Sequence, residues 1–303
     1  MDNIIDKTPI EMRLNPLAII LITLISISVI PRLDAQKAEI GFSIGATTYQ
    51  GDISPLGWRI SFEGAQVARG LFLSLGLNDY LSVKGRYYTS NLAASDENAI
   101  SSFRSERNLH FRSSIREFSL VGELNLLGVF PSMRKFKFQP FVNVGVGVFR
   151  FNPEAKYKGV WHELQPLGTE GQGLPGSDKE LYSLTQLSIP MGVGMKYTFN
   201  DELVIAFEIA PRWTFTDYLD DVSTTYPDLE LLGQERGDLA VGLSYRSDKP
   251  IDAGNNMANV GRGNSGENDW YVISTISVAY RFDPGVYYDR RKGFQGNWKC
   301  PYF

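Results

Sequence analysis

Between Glu39 and Phe282 the chain alternates apolar and polar side chains in eight separate stretches. A period of two marks strands whose two faces meet unlike surroundings. The pattern predicts strands near 39–49, 69–77, 80–89, 114–127, 138–151, 184–199, 202–215 and 270–282. The clearest stripe is Val142, Val144, Val146 and Val148, with Asn143, Gly145 and Gly147 on the other face. The connections run long, short, long, short, long, short, long, the long ones falling near 50–68, 90–113, 152–183 and 216–269. Asn78-Asp79 and Asn200-Asp201 read as tight hairpin turns. Asp238–Arg246 alternates too, but a ninth strand would give an odd count, so it is assigned to the last long loop as a short helix or hairpin.

A soluble sandwich or a lipocalin-like barrel would alternate in the same way. It would turn Lys84, Arg86, Glu117, Glu123, Lys196, Glu208 and Arg212 outward, whereas a membrane barrel turns them into its lumen. Aromatics gather at the strand ends. Tyr197, Phe199, Tyr280 and Phe282 form one group; Tyr87, Trp213, Phe215 and Trp270 form the other. These resemble the two interfacial girdles of a membrane barrel, and the asymmetry of loop length points the same way. The expected fold is all-β: an eight-stranded antiparallel transmembrane outer-membrane β-barrel with long extracellular loops. Such a barrel is just wide enough for its own side chains, so the inward charges are expected to fill it as an ion-pair network. On parity alone Val144→Arg should block assembly and Asn143→Ser should not.

The N-terminus changes the picture by placing the chain outside the cytoplasm. Lys7 and Arg13 precede the apolar run Leu17–Ile30, and Ala35 offers a small residue for cleavage, so residues 1–35 read as a signal peptide. The barrel is then assigned to 36–283 and a periplasmic tail to 284–303. Mean hydropathy is −0.17, too polar for a helical membrane protein but suited to strands with one wet face. A net charge of −4 implies no nucleic-acid partner. The tail interleaves aromatic and basic residues, among them Arg290, Arg291, Phe294 and Trp298, a composition that suits partner binding. Cys300 is the single cysteine, hence a free thiol or an intermolecular disulfide.

Little in the chain points to catalysis. His110 lies near Ser113 and Ser114, but no activating carboxylate is legible, and His162 stands alone. Asp217, Asp220 and Asp221 could offer oxygens to calcium, yet lack the glycine-turned loop of such sites; capping a turn is the plainer role. The glycine-rich Gly261–Asp269 has no Gly-Lys-Ser/Thr and is no phosphate loop. No enzyme, cofactor or metal is expected.

Several segments resemble the PorG-like outer-membrane proteins of the type IX secretion system. They are GATTYQGDI (Gly45–Ile53), RGLFLSLGL (Arg69–Leu77), FNPEAKYKGVWHELQPLGTEGQG (Phe151–Gly173), IPMGVGMKY (Ile189–Tyr197), TFTDYLDDVSTTY (Thr214–Tyr226) and RGN (Arg262–Asn264). Within the loop motifs, Trp161, Gly168, Glu170, Asp217, Asp220 and Asp221 are the candidate functional residues. The resemblance implies a non-enzymatic barrel in the outer membrane of a Gram-negative bacterium, both termini periplasmic. It implies partners in the periplasmic ring, a lipoprotein and its partner subunit, and a role in protein export and, in some members, gliding. An adhesin or porin acting through its outer loops is the alternative.

Overall fold

The structure, a computed structural model, describes residues 37–54, 64–99, 101–133, 136–200, 202–247 and 257–282. The expected signal peptide and tail lie outside the described residues. The strands are β1 (Lys37–Gln50), β2 (Gln66–Gly76), β3 (Leu81–Ser95), β4 (His110–Asn125), β5 (Phe138–Arg150), β6 (Pro153–Tyr157), β7 (Val160–Glu163), β8 (Thr185–Phe199), β9 (Leu203–Thr214) and β10 (Trp270–Phe282). Short helices α1 (Ser102–Arg107), α2 (Leu229–Arg236) and α3 (Asp238–Ser244) lie between them. Eight of the strands pair antiparallel in the cycle β1-β2-β3-β4-β5-β8-β9-β10, and β10 returns to β1 with Ala38 opposite Phe282 and Gln50 opposite Trp270. This closure leaves no sheet edge inside the barrel, the condition for strands to lie in hydrocarbon.

The two faces separate as the alternation requires. Ile40, Phe42, Leu71, Leu73, Phe118, Leu120, Val144, Val146, Leu187 and Ile276 are exposed on the outside. A continuous apolar wall of this kind is untenable in water and matches a lipid contact. At the long-loop end of β1 and β10 the outward parity is covered: Thr48, Gln50 and Val272 are buried, with Val272 opposite Thr48 and Pro211 in the register. Among the described residues no helix is long and apolar enough to cross a membrane; the crossing elements are strands.

Three details differ from the sequence expectation. The second long connection shrinks to 96–109, because β3 and β4 stay paired out to Ser95 and His110. Their inward residues there, Leu92, Phe111 and Ile115, are buried in the apolar cluster inside the barrel, which holds the extension together. The third long connection contains the unexpected hairpin β6–β7, whose β6 pairs with the outer end of β4. Its turn residues Lys158 and Gly159 both have positive φ (46° and 87°), the geometry of a two-residue turn matched to strand twist. Asn78-Asp79 is not such a turn. The Asn78 Oδ1 accepts from the Tyr80 and Leu81 amides (3.0 and 2.8 Å), an Asx turn that needs no positive φ. Of the two forms expected for the alternating segment in the last long loop, the helix is the one present, as α3. Ala240, Leu243 and Ser244 are its buried residues, a helical spacing and not a strand's.

Candidate functional site

The interior holds two kinds of filling. At the short-turn end and midway up, the charges expected from parity pair across the lumen. Glu123 lies between Lys84 (2.6 Å) and Lys196. Arg86 grips both oxygens of Glu208 (2.7 and 3.1 Å), and Asn143 Nδ2 donates to the same carboxylate at 3.1 Å. Higher up, Glu117 accepts from Arg212 Nε (3.3 Å) and from the Tyr271 hydroxyl (2.6 Å). Toward the long-loop end the filling turns apolar: Tyr49, Phe111, Ile115, Phe149, Phe151 and Leu219 belong to one buried cluster. Tyr182 and Tyr218 stack 4.6 Å apart against it. A lumen occupied in this way is a packed core, not a channel.

Above the plug, all four long connections meet at Arg262. Its Nη1 donates to Glu170 Oε1 (3.0 Å) and to the Asp221 carbonyl, and its Nε to the Ser244 carbonyl (3.4 Å). Glu170 also accepts from the amides of Ser223 and Thr224 (both 2.9 Å) and from the Thr224 hydroxyl (2.6 Å). Asp221 accepts from the Tyr182 hydroxyl (2.7 Å) and from Thr169. Arg107, from the second long connection, donates to the Arg262 carbonyl (2.6 Å), to the Asp52 carbonyl of the first (3.0 Å) and to Asp96 (2.7 Å). Glu170, Asp221 and Arg262 are all buried. Buried charges persist only when paired and hydrogen-bonded, and here both conditions hold.

A second junction lies beside it. The Tyr49 hydroxyl is 2.6 Å from Asp220 Oδ2 and 3.0 Å from Asp269 Oδ1. The hydroxyl has a single hydrogen, so the second of these contacts requires a proton on a carboxyl group. Burial, which disfavours the charged form, holds both Asp220 and Asp269 well above the usual carboxylate range. Burial likewise pushes Asp217 up to about 7 and Asp221 up to about 6.

The expected loop residues therefore divide. Glu170, Asp220 and Asp221 are parts of this cap, their oxygens taken by protein donors. Asp217 is buried beside them with Oδ2 unpartnered among the described residues. Gly168 closes a short 3-10 turn at φ +56°, where a Cβ would fall 2.6 Å from the Gln172 carbonyl oxygen. Trp161 is set apart on β7, with the Arg112 guanidinium over its ring at 4.0 Å. His110 Nε2 accepts from the Lys156 amide (3.0 Å) on the outer face, while Ser113 is buried on the opposite parity, so the two are not brought together. No local pattern in the sequence marks Arg107 or Asp269 as parts of the cap, and Tyr49 stands out only within the Gly45–Ile53 segment. Arg262 stands out only within the Arg262–Asn264 motif, and an arginine between two glycines is the available signal. Arg290, Arg291, Phe294, Trp298 and Cys300 lie outside the described residues.

Among solved structures, the chain is similar to the Neisserial surface protein A at 8% identity, covering 81% of this chain and 97% of that one, TM-score 0.39. It is similar to OprG from Pseudomonas aeruginosa at 11% identity, covering 82% and 97%, TM-score 0.37. The attachment invasion locus protein Ail of Yersinia pestis follows at 9% identity, covering 81% and 99%, TM-score 0.36. The barrel assignment stands on the closed register itself. No curated protein matches the sequence. A family profile described as "Domain of unknown function (DUF6089)" matches residues 18–240, more than half of the chain. The chain belongs to the DUF6089 family.

Proposed function

We propose that this protein is a non-enzymatic outer-membrane component of a protein-secretion machine of type IX, holding a periplasmic assembly at the membrane. The observation that carries the reading is the filled lumen: ion pairs below, an aromatic plug above, and a hydrogen-bonded cap over the plug. A barrel closed in this way offers its two ends as surfaces and no passage for cargo. The motifs shared with PorG-like proteins supply the choice of machine, with the long loops extracellular and both termini periplasmic. In this reading the basic aromatic tail is the contact to the ring lipoprotein and its partner, and Cys300 is available for a covalent tie. The test is co-purification from detergent-solubilised outer membranes. Deleting residues 283–303 should release the ring subunits while the barrel stays in the membrane; full retention would overturn the tail as anchor.

The second reading is an adhesin, favoured by the ordered cap, which presents a fixed surface. Loss of cell binding on exchange of the long loops, with ring co-purification absent, would decide for it. The porin form of that reading requires single-channel conductance above leak, which the plug should prevent.

A further inference from the structure

The register places three arginines in one row on the outer wall, with a threonine between the first and the second. Arg69 of β2 lies opposite Thr89 of β3, Thr89 opposite Arg116 of β4, and Arg116 opposite Arg150 of β5. All four side chains are exposed on the lipid-side parity. The row immediately toward the short turns is Leu71, Tyr87, Phe118 and Val148, also in register and exposed. The arginines thus stand where the apolar wall ends, on the long-loop side. Adjacent strands are about 4.8 Å apart, so the three guanidinium groups share a patch roughly 15 Å wide.

Like charges directly opposite in a sheet are destabilising, and Arg116 faces Arg150 with no intervening residue. Among the described residues none of the three has an ion-pair partner. The carboxylate nearest by register, Glu154, is taken by Arg112 at 2.6 Å. Among the described residues no free carboxylate is placed to neutralise the row, which leaves it open to an anion from outside. We infer that Arg69, Arg116 and Arg150 bind the phosphates of a phosphorylated glycolipid of the outer leaflet, with its acyl chains on the wall below. Guanidinium groups suit phosphate because they present paired donors in a plane. The ligand lies at the border of hydrocarbon and headgroup, where this row sits. The inference rests on the outer-membrane reading with the long loops outward.

The experiment uses the full barrel purified in a neutral detergent and titrated with bisphosphorylated lipid A, with dephosphorylated lipid A of the same acyl chains, and with inorganic phosphate. Binding is followed by native mass spectrometry. The parent should prefer the bisphosphorylated lipid, and the triple variant R69Q/R116Q/R150Q should bind it on the order of 100-fold more weakly. Its gel heat shift serves as the folding control. If the triple variant does not fold, Arg116→Gln alone should weaken binding about fivefold. It should also raise heat stability in lipid-free detergent, because it removes the facing pair. Equal binding by parent and variant, or equal affinity for dephosphorylated lipid or free phosphate, would overturn the inference. Failure of the parent to float with phospholipid vesicles free of lipid A would instead overturn the membrane reading, and the arginine site with it.

Discussion

The two ends of this barrel solve opposite problems. At the short-turn end the lumen opens into a cavity of about 420 Å³ bordered by Lys37, Glu39, Asp79, Lys137, Lys196 and Arg281. Lys37, Asp79 and Lys137 on its rim are exposed and Arg281 is partly exposed, while Glu39 and Lys196 deeper in are buried and paired, Arg281 with Glu39 at 2.7 Å and Lys196 with Glu39 at 3.6 Å. At the long-loop end the corresponding space is filled by aromatic rings, and the charges above it are sealed in the cap. Water reaches the rim charges at the first end and is excluded from the charges of the cap at the second. Sequence change is therefore costlier in the cap and the mid-lumen than at the turn rim.

The largest effect should come from removing the hub. Arg262→Ala leaves Glu170 and Asp221 buried without their cation, a loss of about 3–5 kcal/mol. Protease cleavage within 215–269 should rise steeply while the strands stay protected. Arg281→Ala at the wet end should change little by the same assay. Equal behaviour of the two variants would mean that both ends tolerate a lost partner alike.

Next is the wall. Val144→Arg puts a cation into the centre of the apolar belt, costing about 2–4 kcal/mol, and should reduce folding into vesicles judged by the gel heat shift. Beside it, Asn143→Ser is not the neutral change that parity alone suggests. It removes the hydrogen bond to Glu208, and a bond to a charged group contributes about 1.5–3 kcal/mol. Urea unfolding should register the loss.

A pH rise separates cap from belt more gently. The buried Asp217 and Asp221 titrate at about 7 and about 6, above the roughly 3.9 of an unfolded aspartate. A raised pKa in the folded chain means the folded form binds more protons between those values. The stabilisation from the protonated forms is complete below about pH 4 and is lost as pH rises through 6 to 7. Amide exchange in 216–228, corrected for intrinsic rate, should therefore be faster at about pH 8 than at about pH 5, with the strands unchanged. Asp220 and Asp269 act in the same direction. The smallest effect is Gly159→Ala: an alanine held at φ +87° costs on the order of 1 kcal/mol, felt in the β6–β7 hairpin alone.

Much of the barrel is legible in the amino-acid order. Strand β10 occupies the predicted 270–282, and the other seven barrel strands differ at their ends by up to six residues, the most at the end of β3. Every inward charge named from parity is buried in the lumen. The β6–β7 hairpin has half a signal: Pro153–Tyr157 alternates up to Lys158-Gly159, but Val160–Glu163 does not, and the length of the surrounding connection favours a loop there. The hub is not legible. Asp52, Arg107, Glu170 and Arg262 come from four connections with no common local pattern, and only their convergence over the plug pairs them.

A two-residue period is a local property, since backbone geometry forces successive side chains to opposite faces. The amino-acid order alone therefore determined the strands, the face each residue takes, and the apolar character of the wall. Which charge meets which, that the long connections close over the lumen, and that three arginines line up at the rim were decided only by the folded register. Those contacts join residues far apart in the chain, and strand pairing and closure, not sequence spacing, set their distances.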